Sequence, residues 1–309
     1  MSLNSSIEVQ QTNKELVQQY KKKRWRDHAA WKRFKKNKLA VFGAIILLIF
    51  LILAVLAPLI SPYSPYESTK GEFGDINVLA PPGDGHLLGT DSLGRDMLSR
   101  IIYGGRVSLG VAFVAVMIAT ITGVFLGLVA GFYGKWVDTV IMRITDVVIC
   151  FPVLFLAITV ATILKPSLFN VMIIIGLVSW TTMTRLVRGE VLRLREMEYI
   201  EATRAMGQND AIIILRHILP NIMAPIVVQG TLQTAEAILT ESALSFLGVG
   251  VQQPVPSWGN MLNEATSIMV LQFKPWVWMP AGFAILLTIL CINFVGDGLR
   301  DALDPKVKN

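Results

Sequence analysis

Apolar and polar positions alternate on a coarse scale along this chain: long hydrophobic runs are separated by charged or Pro- and Gly-rich stretches. A helix rises 1.5 Å per residue, so about 20 apolar residues cross about 30 Å of hydrocarbon. Six runs reach that length, at 39–60, 107–131, 138–164, 169–188, 222–246 and 277–298. The pattern therefore predicts an all-α membrane protein with six transmembrane helices. The first run is unbroken to Ala57-Pro58, too long for a signal-peptide core and without a cleavage site soon after it, so it is expected to be retained. The third carries Asp138, Arg143 and Asp146 in its first two turns, with Asp146 expected to pair with Arg143 and Pro152 a candidate kink. In the second, Gly123, Gly127 and Gly131 recur every four residues, a spacing that lets helices approach closely.

Composition sharpens this picture. The 309 residues are 53% hydrophobic and 16% charged, against about 45–50% and about 25% in soluble domains. Of the 28 Lys and Arg residues, ten fall between Lys21 and Lys38, directly before the first run. That placement is a topology signal rather than a nucleic-acid patch, and it puts the N-terminus in the cytoplasm. Six crossings return the C-terminus to the same side. The expected organisation is then a cytoplasmic tail with an interfacial helix (1–38), a first span (39–60), an external loop (61–106), a five-helix core (107–300) and a cytoplasmic tail (301–309). Trp25, Trp31 and Phe34 suit the interfacial helix. Cys150 and Cys291 lie in apolar runs and read as small buried hydrophobes. His28, His86 and His217 show no ligand spacing, so no metal is expected, and His86 reads as ordinary loop surface. Arg95, Asp96 and Arg106 are expected to organise the external segment before the second span.

The loop 189–221 differs from its surroundings. A helix is expected from Gly189 to Met206, with Arg195–Glu198 and Glu201–Arg204 as i,i+3 neighbours. Gly207 supplies a left-handed stop, Asn209 or Asp210 caps a second short helix, and Pro220 ends it. Such a bent unit, with small residues and few charges, suits docking into another protein's cleft.

Glu201-Ala202-Thr203, then Gly207, then Ile218-Leu219-Pro220, resembles the EAA loop of permease subunits of ABC importers. Thr203 stands where the pattern has a second Ala. The stretches 88–109, 241–262 and 296–305, with RFKKNKLAVFG before the first span, are similar to the peptide and nickel branch, most like its C-type peptide permeases. The resemblance covers about 25–305. It implies that Glu201, Ala202, Thr203, Gly207, Leu219 and Pro220 form the coupling element, with Glu201 engaging an ATPase and Gly207 forming the bend. It also implies a homologous permease, two ATPase subunits, an external substrate-binding protein and a peptide substrate.

The chain has no GxxxxGK[ST] phosphate loop, no nucleophile–base pair and no metal constellation. It is therefore expected to be no enzyme and to hold no cofactor, with ATP bound by partner subunits. A nickel permease and a self-sufficient secondary transporter are the alternatives. The latter would need intramembrane charges, and Glu236 and Glu241 are the candidates. Either lines a hydrated pathway, where a carboxylate could meet a peptide amino group, or makes an interhelical hydrogen bond.

Overall fold

The structure is a computed structural model that describes residues 31–69, 76–83, 85–164 and 167–303. The expectations for the tail before Trp31, including Trp25 and His28, and for residues beyond Leu303 lie outside the described residues. Helices dominate: α1 (Lys38–Val55), α2 (Met97–Tyr133), α3 (Lys135–Ile149), α4 (Val153–Ile163), α5 (Leu168–Arg195), α6 (Glu198–Ala205), α7 (Leu219–Phe246), α8 (Trp258–Leu262) and α9 (Pro275–Leu303). Five are long and apolar enough to cross a membrane, and six spans result if α3 and α4 count as one.

The centre of the bundle is the α2–α5 seam. Helices in lipid gain no hydrophobic free energy from meeting, so close van der Waals packing holds them. Gly123, Gly127 and Gly131 of α2 receive Met183, Val187 and Val191 of α5. A Cβ on Gly127 would lie 2.7 Å from the Val187 Cβ and 2.8 Å from the Thr184 carbonyl oxygen. The fit is reciprocal, since Gly176 of α5 takes Ile118 of α2. Residue numbers rise together along both helices, so α2 and α5 are parallel.

Two parallel spans need a crossing between them, which fixes how 135–163 is used. The expected single helix 138–164 is instead broken: α3 and α4 meet at 87°. Pro152 stands at the N-cap of α4, where its missing N–H costs nothing. Helix α4 lies along α5 through Ala157 and Ala161. Helix α3 is tied to α5 by Arg188 Nη2 to Asp138 at 2.6 Å and by Arg185 to Asp146 at 2.6 Å. Asp146 therefore pairs with Arg185, 39 residues away, rather than with Arg143. Cys150 lies exposed at the break and is not buried as expected; Cys291 is.

Helix α2 begins ten residues earlier than expected, at Met97, so the segment before it closes at Asp96. At 37 residues it is about 55 Å long, more than the hydrocarbon thickness requires. Its Asp96 N-cap accepts from the Ser99 N–H at 2.8 Å. Helix α9 runs back beside α1, where Gly43 packs on the Cys291 backbone. Helix α1 therefore starts, and α9 ends, at the Tyr133 end of the bundle.

Candidate docking element and polar clusters

At the Tyr133 end, α5 does not continue to Met206 as expected. It stops at Arg195; Glu196 turns, Met197 is extended, and α6 begins at Glu198. Neither Gly nor Pro forces the break. It lets Leu194 and Ile200 enter one buried cluster with Phe132, Val191, Ile213 and Ile218. Ile200 and Thr203 face that cluster, and the Thr203 hydroxyl donates to the Ile200 carbonyl at 2.7 Å. Thr is therefore accommodated at this buried position. Glu201, Ala202 and Arg204 face outward.

Neither pair of i,i+3 neighbours, Arg195–Glu198 or Glu201–Arg204, makes an ion pair. Arg195 Nη1 donates to the Gly131 carbonyl at 3.0 Å, and the Arg204 guanidinium lies 5.2 Å from the Phe132 ring centroid. Both arginines thus clamp the unit onto the end of α2. Gly207 has φ +76°, the left-handed value expected of the bend, and nothing crowds it. The Asn209 side chain accepts from the Ala211 N–H at 2.9 Å, as a cap should.

Pro220 does not end the second helix. A π turn, Ile213–Ile218, leads into α7 and places Pro220 in its first turn. Proline has no N–H and its ring crowds the carbonyl four residues earlier, so the wider turn absorbs both problems. It also brings Ile213 and Ile218 to the same buried face five residues apart. Leu219 packs against the cluster, while Pro220 is exposed. The outer surface presents Glu198, Glu201 and Arg204 beside exposed Tyr199, Met206, Ile212 and Leu215. Glu201 has no side-chain partner among the described residues.

The two candidate pathway carboxylates differ. Glu241 is fully buried and accepts from the Ser108 hydroxyl at 2.9 Å and the Ser245 hydroxyl at 2.8 Å. Ser108 also accepts from the Trp258 N–H at 3.2 Å, so Glu241 ties α2, α7 and α8 together and faces no open space within this chain. Glu236 is exposed on α7, and its carboxylate has no partner among the described residues.

The opposite end holds a buried charge network that sequence reasoning only grazed. Asp91 meets Arg95 at 2.7 Å and Arg100 at 3.2 Å. Arg95 reaches Gln253 at 2.7 Å. His86 is not loop surface: it is buried, with Nδ1 2.8 Å from Asp96. Arg106, grouped with these residues by sequence, is exposed and outside the network. Glu264 accepts the Ser92 N–H at 3.0 Å and joins the two connecting segments. Burial, and then the Asp91 charge, push the Glu264 carboxyl above its usual 4.5. The folded state therefore binds this proton more tightly than the unfolded chain, and stability contributed here falls as pH rises from about 4.5 through the raised value. Glu264→Gln mimics the protonated acid. Its thermal midpoint is expected to match wild type below that window and to exceed it increasingly across it. A gap that widened toward acid pH would refute this assignment.

Among the described residues, no group of three or more His, Cys, Asp or Glu side chains is placed to hold a metal. Parallel glycine-seamed helices, a broken return span and a clamped polar element at one end define a helical membrane protein of the permease class. Residues 123–309 match the family described as binding-protein-dependent transport system inner membrane component, and the chain belongs to that family. Residues 24–82 match the N-terminal TM domain of oligopeptide transport permease C.

Similar proteins include the dipeptide transport system permease protein DppC of Alkalihalophilus pseudofirmus, 47% identical over 92% of this chain and 91% of that protein. The di/tripeptide transport system permease protein DppC of Pseudomonas aeruginosa is 43% identical over 90% of this chain and 92% of its own length. The glutathione transport system permease protein GsiD of Pectobacterium atrosepticum is 47% identical over 74% and 75%. An inward-facing structure of the MetNI methionine ABC transporter matches with TM-score 0.54 at 17% identity, over 67% of this chain and 98% of that chain, a likeness of fold.

Proposed function

We propose that this chain is one permease subunit of an ATP-driven importer of short peptides, paired with a homologous permease, two ATPase subunits and an external binding protein. One observation carries the reading: α6 and the turn after it are seated on the ends of α2 and α5, yet present an outward face whose carboxylate, Glu201, has no partner among the described residues. Rigid seating lets a force applied to that face reach the spans. The relatives named for dipeptides, di/tripeptides and glutathione favour a peptide substrate over nickel. In this reading the Tyr133 end, with both described chain ends, is cytoplasmic in a bacterial inner membrane, and ATP chemistry belongs to the partners. Closure of the ATPases moves the docking elements and exchanges inward and outward access.

Reconstitution in sealed vesicles tests it. The chain alone, under a proton gradient and without nucleotide, is expected to accumulate no peptide. The complete assembly with ATP is expected to accumulate it. Uphill uptake by the isolated chain would establish a secondary transporter instead.

A further inference from the structure

Between α5, α7 and α9, near the docking element, lies a cleft of about 610 Å³ that none of the features above uses. Its polar groups are Glu190, Arg193, Asn221, Gln229 and Arg300. Glu190 and Arg193 neutralise each other at 2.6 Å. Asn221 donates to the His217 carbonyl. Arg300 is left as a cation with no partner among the described residues, exposed at the cleft wall. The wall therefore has an excess positive charge, and the Gln229 amide has no partner among the described residues.

The α7 side of the cleft has a direction. Asn221, Pro225, Gln229 and Leu232 line it at spacings of four, four and three, which is one helix face. The next residue on that face is Glu236, four positions on, exposed and without a side-chain partner among the described residues. An ionisable residue within a span normally faces water or a partner rather than lipid. Glu236 stands about 10 Å along the axis from Gln229, close to the length of a two- or three-residue peptide.

We infer that this cleft is a binding station for the free α-carboxylate of a short peptide, held by Arg300, with the peptide's ammonium end directed toward Glu236. The inference rests on the peptide-importer reading and adds a site within the permease itself. A planar guanidinium offers a carboxylate two parallel donors, whereas an amidated terminus offers it no charge. The station discriminates zwitterionic peptides from blocked ones after any external binding protein has released them.

The test uses the permease–ATPase complex in nanodiscs, without binding protein or nucleotide. The probes are alanyl-alanine and its C-terminal amide, followed by ligand-observed NMR. Wild type is expected to bind the carboxylate form about tenfold more tightly than the amide. Arg300→Gln removes that preference, and Arg300→Lys retains part of it. A Glu236→Gln variant weakens alanyl-alanine and leaves N-acetylated alanyl-alanine unchanged. No saturable binding to wild type, equal binding of acid and amide, or indifference to Arg300→Gln each overturns the inference. Loss of the preference on deleting residues 305–309 also overturns it, by assigning the recognition to the chain's own terminus. ATP-driven uptake by the complete wild-type assembly is measured in parallel. If uptake persists while the carboxylate preference is absent, the station falls and the importer reading stands.

Discussion

Lysine in place of Glu201 is expected to reduce ATP-driven peptide uptake to background while the protein still inserts and folds. The two halves of that result separate because of where Glu201 sits. Its neighbours Ile200 and Thr203 are buried in the cluster that seats α6, whereas Glu201 faces outward without a partner among the described residues. Reversing the charge in the first turn of α6 costs about 0.3–1 kcal/mol through the helix dipole. That is too little to unfold the bundle. A like-charge juxtaposition across a docked interface costs several kcal/mol and removes the partner. Glu201→Gln, which loses the charge without reversing it, is expected to fall between. Uptake, ATPase co-purification and protease protection of the spans, measured on the same preparations, decide the matter. Near-normal uptake by the lysine variant, with ATPase binding unchanged, would remove Glu201 from the interface.

The second large effect belongs to the seam. Leucine at Gly127 is expected to prevent accumulation of folded protein. Even the first added carbon would meet Val187 Cβ at 2.7 Å and the Thr184 carbonyl oxygen at 2.8 Å, and neither backbone-proximal atom can swing aside. The helices must separate, which also loosens the Gly123 and Gly131 contacts one turn to either side. Overpacking in a filled interior costs about 1–3 kcal/mol per site, and more when an entire helix interface shifts. Gly110, on the same helix, provides the contrast, because a Cβ there meets nothing within 4 Å. Gly110→Ala is expected to be neutral or to stabilise by up to about 1 kcal/mol, as alanine does in a helix interior. Thermal stability of the two variants in the same detergent measures the difference. A folded Gly127→Leu protein with a wild-type midpoint would contradict the packing described here.

How much of this was legible in the sequence follows from the range of the interactions. The glycine seam was readable because its signal is periodic and local, as were the Gly207 bend and the Asn209 cap. The break between α5 and α6 was not. Every residue from Gly189 to Met206 is compatible with helix, and the break after Arg195 brings Leu194 and Ile200 into one cluster, a contact that local pattern does not encode. Pro220 misled for a related reason: a proline normally stops a helix, but a π turn before it hides in an ordinary isoleucine-rich stretch. Arg143 is the partner that sequence proximity offers Asp146, whereas Arg185 is near only after the third span breaks. The network of His86, Asp91, Arg100, Gln253 and Glu264 gathers residues spread over nearly 180 positions. No periodicity announces such a cluster. The apolar lengths revealed spans but not the 87° corner, although Pro152 marked its place.

One helix reaches from one polar margin of the molecule to the other. Phe132, near one tip of α2, lies beneath Arg204; at the opposite tip, Gly104 and Gly105 lie against Trp258, and Arg100 meets Asp91. A stiff rod about 55 Å long, gripped at both tips, has a simple kinematic property. Tilting about its midpoint swings the tips in opposite directions, so widening one mouth of the bundle and narrowing the other are a single movement, with no separate signal needed to keep them in step.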